Sequence, residues 1–180
     1  VLMFDYRGYG VSEGKPTREG VFLDSLAAME YVRSRDDVDP ARLFAFGQSL
    51  GGAIALAAVG EGSQDGILGV VVEGTFLSYR AVVNNKMSNT PITYPLASLM
   101  VSDDHAPARS IERIAPIPLQ VFHGVRDKVI AVKNGRKVYG AAGDPKEMHE
   151  IATGVHLDAF VEHEGRYRAE MLRFLRGCLG

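Results

Sequence analysis

The sequence predicts an α/β domain, a mostly parallel sheet with helices on both faces. Three observations predict it. Short apolar runs alternate with longer segments of helical period along most of the chain, the rhythm of repeated strand–helix units. The run at 67–72 is apolar throughout, which suits a strand buried on both faces. The length of 180 residues, 46% hydrophobic and 23% charged, fits one globular domain with a sizeable core.

Taken in order, residues 1–5 read as a first strand, followed by a loop punctuated by Gly8, Gly10, Gly14 and Pro16. Residues 18–35 form a helix, with Phe22, Leu26 and Met29 on one side. Asp39-Pro40 turns the chain into a strand at 42–46, and a helix of small residues follows at 50–59. The strand at 67–72 leads into residues 74–110, which break the rhythm. An excursion of that length inside a compact α/β domain reads as a cap or lid with short helices. The rhythm resumes with a strand at 117–122, a helix at 132–141, a strand at 147–151 and a closing helix at 164–177.

Composition narrows the function. The net charge is −2, and no basic stripe or polybasic run points to nucleic acid or to anionic lipid. The single cysteine, Cys178, rules out an internal disulfide framework and reads as a terminal structural thiol. Histidines and acids lack metal-site spacing, so no metal is expected. Gly8-Tyr9-Gly10 follows an apolar run but does not complete a dinucleotide fingerprint, so no cofactor is expected either. No apolar run is long enough to cross a membrane. The chain opens on Val1 rather than Met, inside an apparent strand. The expectation is that preceding residues are missing, and any membrane association or targeting signal with them. This leaves localisation open between cytoplasmic and membrane-anchored.

Gly47-Gln48-Ser49-Leu50-Gly51 matches G-x-S-x-G, a sharp strand-to-helix turn that exposes a strained serine. Glycines are expected on both flanks because a Cβ there would collide with the turn. The serine then stands at a helix N-terminus, where free N–H groups and the helix dipole favour a developing anion. The bland alternative is a glycine-rich turn with a structural serine. A nucleophilic serine needs a base, and the base an orienting acid. Among five histidines, His156 lies in a loop between the last strand and the last helix, at the sheet edge where such sites assemble. His163 is the runner-up. Asp127 lies just past the strand at 117–122 and is the candidate acid, with a helix-capping aspartate as the alternative reading. The order Ser49, Asp127, His156 is that of α/β-hydrolases rather than of the chymotrypsin or subtilisin classes.

The sequence resembles the α/β-hydrolases, in particular the bacterial serine-aminopeptidase-like and peptidase-like members related to eukaryotic depalmitoylase-like α/β-hydrolase-domain proteins. The stretches that carry the resemblance are Phe4-Asp5-Tyr6-Arg7-Gly8-Tyr9-Gly10-Val11-Ser12, Phe46 through Gly52, Pro118 through Asp127, and Gly154 through Phe160. The resemblance implies an α/β-hydrolase fold whose N-terminal strands are missing. It places residues 1–5 and 42–46 as strands separated by one that is not in the sequence. It also implies that one oxyanion loop is absent, so the backbone N–H of Leu50 is one donor and a second must come from elsewhere. Residues 1–5 are expected to keep the family's strand position and not to pair with 42–46, and the 180-residue chain is expected to aggregate or to be nearly inactive.

The function expected is hydrolysis of a carboxylic ester, thioester or amide through an acyl-enzyme on Ser49, with a small-molecule or acyl substrate. Phe76, Leu77, Leu96 and Leu99 of the excursion are expected to line its pocket. The rival is a binding or scaffold protein on a hydrolase fold, since fold alone does not fix function.

Overall fold

The structure, a computed structural model, describes residues 1–87 and 101–180. Its described elements run α1 (Arg18–Arg33), β1 (Leu43–Gln48), α2 (Leu50–Glu61), β2 (Ile67–Glu73), α3 (Tyr79–Met87), β3 (Leu119–Gly124), α4 (Lys133–Ala141), β4 (Lys146–Ile151) and α5 (Arg166–Cys178). Short 3₁₀ turns at Pro107–Arg109, Ile111–Ile114 and His163–Gly165 connect them. The strands form a parallel sheet in the order β1-β2-β3-β4.

Side-chain alternation divides the core between the two faces of the sheet. Val70 and Val72 of β2, with Leu119 and Val121 of β3, join Leu56 and Val59 of α2, Ile111, Ile114 and Val138 in one cluster. Met29 and Val32 of α1 pack against its edge. Val71 and Phe122 point the other way and meet Tyr167 and Phe174 of α5. Helices α1, α2 and α4 therefore cover one face, and α5 the other.

Helix α2 is apolar on nearly every side, from Gly52 to Gly60, because it is enclosed between the sheet, α1 and the 107–114 segment. Small residues let neighbours close in: a Cβ on Gly60 would lie 2.6 Å from the Ser110 carbonyl oxygen.

The strand expected at residues 1–5 does not form. Val1, Met3 and Phe4 are exposed, and among the described residues β1 has only β2 as a ladder partner. An apolar run supplies a strand's side chains, but its N–H and C=O groups also need a neighbouring edge. As expected, residues 1–5 do not pair with β1. The loop after them is fixed to α1 by Arg7, whose backbone N–H and guanidinium both donate to Asp24.

Of the excursion at 74–110, the described ends hold a helix, α3, and the 3₁₀ turn Pro107–Arg109, and the two ends are tied together. The Ser78 hydroxyl donates to Asp103 at 2.9 Å, and the Ala108 N–H to the Leu77 carbonyl at 3.1 Å. Leu96 and Leu99 lie outside the described residues.

Candidate active site

β1 ends at Gln48 and α2 begins at Leu50, so the chain reverses from strand to helix through Ser49 alone. Ser49 sits at φ 51°, ψ −119°, a backbone conformation that L-residues rarely adopt. Two bonds to the β2 end hold it there: its N–H donates to the Glu73 carbonyl at 2.8 Å, and the Thr75 hydroxyl donates to its carbonyl at 2.8 Å. The steric demand for glycine falls on Gly47 and Gly52. A Cβ on Gly47 would lie 2.5 Å from the Gly51 carbonyl oxygen, and one on Gly52 would lie 2.8 Å from the Thr75 side chain. Gly51, expected to be equally crowded, has open space around its Cβ direction. The turn folds Gly47 and Gly52 inward and leaves Gly51 facing out.

Asp127 stands in the loop after β3, its carboxylate fully buried. Oδ1 accepts the backbone N–H groups of Val129 and Ile130 at 2.7 and 2.8 Å. The helix-capping role raised as an alternative is not what it plays, since Val132 holds the N-cap position of α4 and these two bonds close the turn ahead of it, aiming Oδ2. That oxygen lies 2.7 Å from Nδ1 of His156. With an acceptor-only carboxylate at Nδ1, the imidazole carries its proton there and leaves Nε2 bare. Nε2 lies 3.2 Å from Ser49 Oγ, at the far end of the range expected for that contact. The acid and histidine loops are also joined by backbone. The Arg126 N–H donates to the Gly154 carbonyl at 2.9 Å, and a Cβ on Gly124 would lie 2.4 Å from the Val155 carbonyl oxygen.

The other histidines have partners of their own, though His123 Nε2 also lies 3.6 Å from Asp127 Oδ2. His123 is fully buried in β3, with Nε2 2.7 Å from the Ile130 carbonyl oxygen, holding the acid loop closed. His163 faces Asp158 at 3.1 Å. His105 faces Glu61, and His149 stacks on Phe122.

Leu50 occupies the first position of α2, where its N–H has no partner within the helix. Its side chain helps line a cavity of about 260 Å³ between α1 and α2. The walls are Val21, Phe22, Ile54 and Ala57, with Arg18, Tyr79 and His105 among the polar groups. Burial pushes the Tyr79 phenol above its usual value, and its ring lies under the Arg18 guanidinium, 4.3 Å away. Phe76 and Leu77, expected in the pocket wall, do not line this cavity. Phe76 packs with Ala53 and Ile130, and Leu77 against the main core.

Sequence reasoning missed Glu73 and Thr75. Both are buried and hydrogen-bonded around Ser49, yet no spacing pattern marks them. Glu73 reads as the polar end of an apolar strand, and Thr75 as an ordinary loop residue.

The arrangement can remove the proton of Ser49 through His156 and hold the resulting imidazolium against Asp127. Comparison with known proteins agrees with the fold that carries it. A family model described as the α/β-hydrolase fold matches residues 1–138. YfhR of Escherichia coli strain K12 is 38% identical over 180 residues, covering 99% of this chain and 61% of YfhR. The α/β-hydrolase domain-containing protein WAV2 of Arabidopsis thaliana is 30% identical, covering 97% of this chain and 60% of WAV2. The chain spans about three fifths of the length of both relatives. Among solved structures, acetyl xylan esterase 1 from Thermoanaerobacterium sp. JW/SL YS485 superposes with a TM-score of 0.72. It covers 98% of this chain and 65% of that one at 18% identity, a likeness of fold.

Proposed function

The chain belongs to the α/β-hydrolase fold family, and from that premise we propose that it is a serine hydrolase acting through an acyl-enzyme on Ser49. One observation carries the reading: Ser49 Oγ, His156 and Asp127 form an unbroken line of contacts of 3.2 and 2.7 Å. Ser49 Oγ attacks the carbonyl carbon of the substrate while His156 Nε2 takes the hydroxyl proton. Asp127 holds the imidazole tautomer and stabilises the imidazolium. The carbonyl oxygen becomes an oxyanion against the Leu50 N–H at the α2 N-terminus. As the tetrahedral species collapses, the bond to the leaving group breaks and that group receives the proton from His156. Water, deprotonated in turn by His156, then releases the carboxylic acid and restores Ser49. Esters and thioesters suit the site better than amides, because their leaving groups need less protonation.

The acyl group enters the apolar cavity beside Leu50, whose inner wall is Ile54 and Ala57. Its volume of about 260 Å³ is below the range of about 300–1,000 Å³ typical of drug-sized ligands, which favours short acyl chains.

The test, run on the full-length parent that the sequence reading expects, is labelling with a fluorophosphonate probe, followed by turnover of p-nitrophenyl esters of graded chain length. Labelling is expected at Ser49, with Ser49→Ala and His156→Ala each removing nearly all turnover. The double variant should be little worse than either single one, because the groups act as a unit. An unlabelled, well-folded protein would instead be a binding module on a hydrolase fold. Ala57→Phe should cut turnover of the longer esters more than that of acetate. Equal losses across the series would place the acyl group elsewhere.

A further inference from the structure

Glu73, the last residue of β2, is 2% exposed. A carboxylate is almost never buried so completely without partners. Its two partners lie on different segments, the end of β1 and the loop after β4. Oε2 accepts from the Gln48 side-chain amide at 2.5 Å, and Oε1 from the backbone N–H of Ala159 at 2.8 Å. Gln48 immediately precedes Ser49, and Ala159 lies three residues after His156. One side chain therefore spans from the nucleophile's turn to the base's loop.

The rest of the segment faces the same place. The Glu73 carbonyl accepts the Ser49 N–H, and the Thr75 hydroxyl donates to the Ser49 carbonyl. Between them Gly74 adopts φ +59°, and a Cβ on it would come 3.4 Å from the His156 ring. The histidine loop is tied to the acid by the His156–Asp127 contact and by the Arg126 N–H to the Gly154 carbonyl. Those bonds fix the base relative to the acid. Neither fixes it relative to the nucleophile. The Glu73 carboxylate supplies that remaining constraint.

We propose that Glu73 is a positioning residue for the hydrolysis, its carboxylate setting the separation of Ser49 Oγ and His156 Nε2 by clamping the Gln48 side chain to the Ala159 backbone. This rests on Ser49 and His156 acting as nucleophile and base. A displacement of about 1 Å at such a pair costs on the order of 10²-fold in rate. Glu73→Ala is therefore expected to lower kcat about 10- to 100-fold, with KM changed little, since no group touching substrate is removed.

The measurement is kcat per active site titrated with the fluorophosphonate, beside thermal unfolding, for wild type and four variants. Glu73→Ala breaks both bonds. Glu73→Gln keeps a carbonyl oxygen for the Ala159 N–H and should recover most of the turnover. Gln48→Glu sets two carboxylates face to face and should lose turnover. Combined with Glu73→Gln, it restores an amide–carboxylate bond in the opposite sense and should regain it. A role confined to stability would lower the melting temperature and the titrated fraction while leaving kcat per site at the wild-type value. That result in Glu73→Ala overturns the proposal. If Glu73→Ala does not fold, failure of the exchanged pair to recover turnover over Gln48→Glu alone overturns it. Wild-type protein that the probe does not label overturns the serine-hydrolase reading itself, and this role with it. Labelled wild type with an indifferent Glu73→Ala overturns only the role of Glu73.

Discussion

Asp127 divides its work between two oxygens, and the division explains why an aspartate rather than any polar residue stands there. Oδ1 is held by two backbone N–H groups, so the side chain has one orientation, and Oδ2 alone meets His156. Asp127→Asn can keep the Oδ1 bonds but places an amide N–H toward Nδ1. The imidazole must then accept at Nδ1 and carry its proton on Nε2, facing Ser49 with nothing to receive the hydroxyl proton. Turnover should fall about 10⁴-fold with little change in unfolding midpoint. A loss of less than tenfold would mean that Asp127 is only a turn cap. At this scale the meeting of Ser49, Asp127 and His156 was legible, because the proposed chemistry calls for fixed residue types in a set order. The sequence was not legible where a residue acts through burial. Glu73 and Thr75 differ from ordinary strand-end and loop residues only in what surrounds them, and the close approach that requires Gly52 rather than Gly51 depends on the path of β2 beside the turn.

Elements were legible where an apolar pattern meets its partner within the chain. β1 to β4 each lie within about two residues of the expected apolar runs, and α2 starts where its glycines and small residues predicted. Residues 1–5 have the pattern without the partner and form no strand. Leu56 shows what enclosure of α2 is worth. It is fully buried in the main cluster, so Leu56→Ala should cost about 2–5 kcal/mol in urea unfolding. A cost under 1 kcal/mol would mean that the helix can collapse into the space. The loop ahead of α1 is held differently, by the Arg7–Asp24 pair at 2.6 Å. The Arg7 guanidinium holds the Asp24 carboxyl below its usual value of 3.8. A carboxyl with a lowered folded-state pKa adds stability above its unfolded pKa and loses it as pH falls through the folded one. Asp24→Asn should therefore be less stable than wild type at pH 7, and the two unfolding midpoints should converge as pH drops below 3.8. A difference that stays constant across that range would show that the pair contributes through packing alone.

At the scale of the whole molecule, the site lies at the C-terminal ends of the strands of a sheet whose two edges are unequal. β4 is bounded by charged pairs, with Glu150 bound to Arg136 and Glu147 to Arg173. β1 is an outer strand with apolar character, and Phe46 on it is 51% exposed. Its outward backbone groups have no ladder partner among the described residues. An apolar edge with unpaired N–H and C=O groups is a template for pairing with another chain, and charge on the edge is a common way to prevent that. The 180-residue chain should therefore self-associate at micromolar to millimolar concentrations, with β1 as the contact. Phe46→Lys places a charge on this half-exposed position without opening the core, since Phe46 belongs to none of the buried clusters and its ring makes an edge contact to Phe160 at 5.6 Å. Sedimentation velocity across that range should show the weight-average mass of the wild-type chain rising with concentration and that of Phe46→Lys staying near one chain. Hydrogen exchange at residues 43–48 should slow with concentration in the wild type only. A wild-type chain that remains monomeric at the highest concentration, with fast exchange along β1, would show that the edge is protected by its twist and short length and needs no partner.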